Sequence, residues 1–180
     1  RDKVQFSQEK VLSISVMNFI KAKEAPNFVD LAVCLQLACG GRISEILTFA
    51  SFKPSDTPNH IIQTGILKST ERTEIVKPII HYTVPEFLKM FKRMREMILP
   101  SLRRIDQGTL SHYDFSQFNN SKINRRASKY FVKSIASHSL RKIWSNLAYN
   151  QYCDKEKLSE AAYLSDILGH SEYSLSVSTS

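Results

Sequence analysis

The chain has 180 residues, of which 42% are hydrophobic and 23% charged, a balance that argues against a disordered chain and suits one ordinary domain. Lys and Arg outnumber Asp and Glu by 25 to 17, giving +8, which points to a polyanion partner although a merely basic globular domain fits equally. No apolar run approaches membrane-spanning length, so no membrane partner is expected.

Spacing of Val11, Ile14, Val16, Phe19 and Ile20 after Ser7 predicts a first helix over about 7–25. Beyond Pro26, residues 27–39 are apolar nearly all round and predict a core helix, stopped by Gly40-Gly41. Arg42-Ile43-Ser44-Glu45-Ile46-Leu47 then starts a short helix. Arg42 has Glu45 one turn on; the two read either as a surface ion pair or as an Arg held by a carboxylate and aimed at an anion. A polar loop is expected over 53–59, followed by β-branched runs over 61–67 and 74–80. Lys68-Ser69-Thr70-Glu71-Arg72 between them reads as a hairpin tip. Lys68, where strand meets turn, is either a solvated charge or a mobile proton donor or phosphate contact.

Thr83-Val84-Pro85-Glu86 is a capping box opening an amphipathic helix, which Pro100 is expected to end. Residues 102–118 read as irregular. In 119–131, Arg125 and Arg126 are candidate phosphate contacts. An apolar-periodic helix follows from Ser137, with His138 and Arg141 three apart on one face. A last helix is expected over about 155–168, capped by Asp154 and stopped by Gly169, which turns His170 back towards that face. The elements together predict a mainly α fold with a small antiparallel β-sheet. Cys34, Cys39 and Cys153 lack zinc or disulfide spacing, so reduced, mostly buried thiols of a cytoplasmic protein are expected. Starting at Arg1 and closing on a polar string, residues 1–180 are expected to be a single domain cut from a longer protein.

The ordered set Arg42 (in Gly-Arg-x-x-Glu), Lys68, His138-x-x-Arg141 and Leu168-Gly169-His170 resembles the catalytic signature of the tyrosine recombinases. More broadly it resembles the DNA breaking-rejoining fold shared with type IB topoisomerases. Within that superfamily the chain looks most like the protelomerases, or telomere resolvases, on Gln63-Thr64-Gly65-Ile66-Leu67-Lys68, the region around Asn124-Arg125-Arg126 and the long insertion over 78–120. The resemblance spans about residues 27–170. It implies a tyrosine-recombinase-like catalytic domain that cuts double-stranded DNA at an inverted repeat, as a homodimer, through 3′-phosphotyrosine links, and closes the ends as hairpins. The catalytic set it implies is Arg42, Lys68, His138, Arg141 and His170, with no cofactor and no metal.

The residue types suit that chemistry. Opening a phosphodiester by a side-chain nucleophile builds charge on the non-bridging oxygens, which two Arg forks bind bidentately. Lys68 suits protonation of the leaving 5′-oxygen, and the two His suit orienting the phosphate and sharing the nucleophile's proton. No carboxylate cluster for Mg²⁺ and no P-loop is visible. In the family the nucleophilic Tyr follows the last His by about nine residues. That count lands on Thr179, so the nucleophile is expected past Ser180, with Tyr173 as the alternative. A conventional recombinase or integrase, and a non-catalytic DNA-binding relative, are the competing readings. Arg72, Arg125, Arg126 and Lys142 are the candidate DNA contacts, each equally well a solvated charge.

Overall fold

Helix α2 (Phe28–Cys39) is the axis of the structure, because eleven of its twelve residues are buried. It begins with a capping box between Asn27 and Asp30 and ends on Gly40 in the left-handed conformation (φ 66°). The computed structural model describes residues 3–67 and 72–169. Around α2 pack α1 (Lys3–Ala22), α3 (Val84–Met97), α5 (His112–Phe131) and α6 (Ser137–Tyr152). Burying Leu31, Val33, Leu35 and Leu37 from every side is worth about 1.5–3 kcal/mol per side chain.

Past Gly41 the backbone makes a helical turn that widens into a π-helical stretch, Glu45–Phe49, closed by Ala50 N–H donating to Glu45 O at 2.7 Å. This confirms the expected short helix. It leads into a three-stranded antiparallel sheet, β1 (Ser51–Pro54), β2 (His60–Thr64) and β3 (Glu74–Pro78), in that order. In register, Ile61 pairs with Lys77 and Gln63 with Ile75, and all four are buried on the inner face.

Several boundaries differ from the sequence expectations. Residues 51–54 form β1, where only a loop from 53 was expected: Phe52 packs edge-on against Phe87 and Phe91, and Pro54 sits on the edge strand where its missing N–H costs nothing. Pro100 lies in the first turn of α4 (Leu99–Asp106), so it opens a helix where it was expected only to close one, and 102–118 is largely helical. Asp154 caps no helix. It accepts from Glu156 N–H and anchors a turn, and α7 (Glu160–Leu168) starts after Ser159, whose hydroxyl accepts from Ala162 N–H. Cys34 and Cys39 are buried thiols and Cys153 is part-buried. No helix among the described residues is long and apolar enough to cross a membrane.

Candidate active site

The turn that presents Arg42 is fixed from three directions. Gly40 touches the face of Trp144 so closely that a Cβ there would lie 2.0 Å from the ring. Gln36 Nε2 donates to Gly41 O at 3.2 Å, and Arg42 N–H donates to Glu45 Oε1 at 2.8 Å. The Arg42 guanidinium stands 3.6 Å from Glu45 Oε2, so the expected Arg–Glu pair forms, with Glu45 only 2% exposed. The same oxygen accepts from Leu67 N–H at 2.8 Å. Glu45 thus joins the arginine turn to the segment that leads into Lys68. Burial pushes its carboxyl pKa up, but the Lys77 charge, the Leu67 and Arg42 N–H groups and the Arg42 charge together hold it below the ordinary value. Arg95 braces the π-helical stretch from outside, donating to the carbonyls of Glu45, Ile46 and Ala50.

Arg141 enters from the first turns of α6. Its Nη2 donates to Leu168 O at 2.9 Å, placing the cation against the carbonyl end of α7. Gly169 (φ 73°) turns the chain away there, and a Cβ on it would lie 2.6 Å from Ile75 Cδ1. Burial, then the neighbouring Arg42 charge, push the Arg141 pKa down to about 10, partly offset by Glu45 and Cys39, so it stays cationic at neutral pH. Its Nε is buried without a partner among the described residues. The Arg42 charge is thus near enough to be felt at Arg141, and each guanidinium is steered by an oxygen of the protein.

His138 is exposed on the first turn of α6, one turn before Arg141 as the spacing predicts. Ala136 supplies no side-chain cap for that helix. Asn124 and Asn120 of α5 take over, accepting from Ser137 N–H and Ser137 Oγ. These two Asn set where His138 stands, and sequence reasoning missed them because the contact joins separate helices. Lys77 was missed too. It falls in phase with Ile75 on the inner face of β3 and is fully buried, its Nζ donating to Gln63 Oε1 at 2.7 Å.

The proposed DNA contacts are placed differently from one another. Lys142 and Arg125 are exposed. Arg72 donates to Asp166 O at 2.7 Å and pairs with the Asp166 carboxylate at 3.2 Å, fastening the start of the β3 segment to α7. Arg126 is engaged with the buried Asp30 of α2, which also accepts from Tyr130 and Lys23. Lys68, His170 and Tyr173 lie outside the described residues. Among the described residues no His, Cys, Asp or Glu cluster is arranged to hold a metal ion.

Known structures share this architecture. A protelomerase TelA variant covalently complexed with substrate DNA aligns with a TM-score of 0.74 and 19% identity, over 96% of this chain and 56% of that one. A TelA variant complexed with a DNA hairpin product aligns at 0.71 and 18%, over the same shares. Protelomerase TelK complexed with substrate DNA aligns at 0.70 and 16%, over 94% of this chain and 38% of that one. The chain thus spans about half the length of the TelA structures and less of TelK. Among curated proteins no sequence match is found. The telomere resolvase ResT/TelK catalytic domain family matches residues 3–180, and the chain belongs to that family.

Proposed function

We propose that the protein cuts and rejoins double-stranded DNA through a 3′-phosphotyrosine intermediate and resolves inverted-repeat telomere junctions into closed hairpin ends. What supports this reading is that Arg42 is held by Glu45 and Arg141 by Leu168 O, with the Arg42 charge near enough to depress the Arg141 pKa, in a chain of the telomere resolvase family. As a tyrosine oxygen attacks phosphorus, the P–O5′ bond breaks and negative charge grows on the non-bridging oxygens. The two guanidiniums hydrogen-bond those oxygens from fixed positions, a preorganised stabilisation that supplies the cationic charge without a metal ion. Lys68 gives its proton to the leaving 5′-oxygen, and His138 and His170 orient the phosphate and share the tyrosine proton. Rejoining reverses the balance. The 5′-hydroxyl of the complementary strand attacks phosphorus, the tyrosine oxygen leaves, and each strand closes on its own complement within a homodimer on the inverted repeat. The nucleophile is assigned to a Tyr past Ser180, with Tyr173 as the alternative.

The test is a nicked inverted-repeat substrate incubated with the full-length protein, without added metal. Wild type should form an SDS-resistant protein–DNA adduct, and an intact repeat should yield hairpins. Arg42→Ala and Arg141→Ala should each slow adduct formation by about 10²–10³-fold. Binding without an adduct would leave a non-catalytic DNA-binding relative, and recombinant duplexes in place of hairpins would leave a conventional recombinase.

A further inference from the structure

Helix α5 borders the candidate active site at two points. At its start His112 stacks on Phe49, the last residue of the π-helical stretch that follows Arg42, with ring centroids 4.4 Å apart. Two turns on, Asn120 Oδ1 accepts from Ser137 Oγ at 2.6 Å and Asn124 Oδ1 from Ser137 N–H at 2.5 Å, immediately before His138. The segment after Arg42 and the start of α6 are therefore both fastened to α5, and DNA seated on the candidate catalytic residues lies alongside this helix. Its surface divides into rows of residues four apart. The row of Asn120 and Asn124 is occupied by Ser137. The row on the far flank is occupied too: Lys122 Nζ stands over the Phe118 ring, 4.4 Å from its centroid, and Arg126 pairs with Asp30.

Between those two rows run Tyr113, Gln117, Ser121 and Arg125. All four are exposed, Tyr113 by 71%, and none has a hydrogen-bond, ion-pair or ring partner among the described residues. A helix face kept only for solvation is built from charges, as on α3, where Lys89, Lys92, Arg93 and Glu96 are exposed. The α5 row carries one charge, at its end, and three neutral side chains that donate and accept hydrogen bonds. From Tyr113 to Arg125 it runs about 18 Å, the rise of roughly five base pairs. We infer that this row enters the major groove beside the cleavage site and reads its sequence, with Gln117 as the principal specificity-determining residue. This rests on the DNA reading given above. The major groove admits an α-helix, and a Gln carboxamide matches adenine there, Nε2 donating to N7 and Oε1 accepting from the N6 amine. Ser121 tolerates several bases, the Tyr113 ring packs on a thymine methyl, and Arg125 closes the row on a flanking phosphate.

The experiment uses a library of duplexes carrying randomised inverted repeats. Those bound by the full-length protein at fixed salt are recovered and sequenced for wild type, Gln117→Ala and Gln117→Arg. Wild type should prefer adenine at one symmetry-related pair of positions. Gln117→Ala should lower that preference about tenfold and leave the other positions within about twofold. Gln117→Arg should move the preference from adenine to guanine, a switch that lost packing does not produce. Tyr113→Ala should weaken a thymine preference within about five base pairs of that position. Gln117 is neutral, so Gln117→Ala should keep the wild-type slope of log affinity against log salt, and the exposed site should leave the unfolding midpoint in place. Base preferences unchanged in both Gln117 variants would overturn the inference. So would a uniform loss of affinity for every sequence, which together with lost self-association would assign the row to contact between copies of the chain. Either result leaves the cleavage reading standing as long as wild type forms its adduct. The expected switch without an adduct would overturn cleavage alone, and no DNA binding by wild type would overturn both.

Discussion

Gly40 shows how one residue can govern the site without touching substrate. Its φ of 66° lies in the left-handed region, and the space where a Cβ would project is filled by the Trp144 ring. Gly40→Ala therefore combines backbone strain with overlap against a rigid indole, and should lower stability by about 2–5 kcal/mol. Gly108 has a similar φ of 76° with nothing within 4 Å of its added Cβ. Gly108→Ala should thus cost only the backbone part, about 1–2 kcal/mol. Urea unfolding of the two variants separates these contributions. A Gly40→Ala loss no larger than that of Gly108→Ala would mean that Trp144 yields easily.

At the level of elements, Asp30 ties three helices together. It sits on α2 and accepts from Lys23 just beyond α1 and from Arg126 and Tyr130 on α5. Burial pushes its carboxyl pKa up, but the hydrogen bonds from Tyr130, Arg126, Asn27 N–H and Lys23 outweigh that and hold it below the usual 3.8. A carboxyl pKa lower in the folded than in the unfolded chain gives stability that is present above 3.8 and is lost as the pH falls through the folded value. Acid unfolding of wild type should show that loss, and Asp30→Asn should be less stable at neutral pH with a weaker acid dependence. Removing the charge leaves Arg126 and Lys23 without their acceptor, and because both are part-exposed the cost should lie towards the lower end of roughly 3–5 kcal/mol. The same elements show what local sequence can and cannot disclose. The capping boxes at Asn27 and Thr83 and the all-apolar run of α2 are local signals, and those helices begin where expected. Strand β1 carries no alternation of its own and exists because β2 and the Phe87–Phe91 face receive it. Pro100 is compatible with either end of a helix, and only packing on α3 decides.

Over the whole molecule, the excess of positive charge divides into cations bound internally and cations facing outward, and sequence could not tell them apart. The Arg42–Glu45 pair and the common helix of His138 and Arg141 were legible from spacing, because helical turns translate sequence distance into shared direction. The burial of Lys77 was not, because Gln63 of β2 and Trp144 of α6 meet around it only in the folded chain. Arg125 and Arg126 are neighbours in sequence, yet a helix turns successive side chains through about a hundred degrees. Arg126 consequently meets Asp30 while Arg125 is exposed. If DNA lies over the outward cations, Arg125→Ala and Lys142→Ala should each weaken binding similarly for all sequences and reduce the slope of log affinity against log salt by about one. Arg126→Ala should instead lower the unfolding midpoint and leave the salt slope within error of wild type, because its charge is already spent on Asp30. Fluorescence-anisotropy titrations from 50 to 300 mM salt, paired with urea unfolding, distinguish the two behaviours. A salt slope that falls with Arg126→Ala but not with Arg125→Ala would place the DNA face on the opposite side of α5.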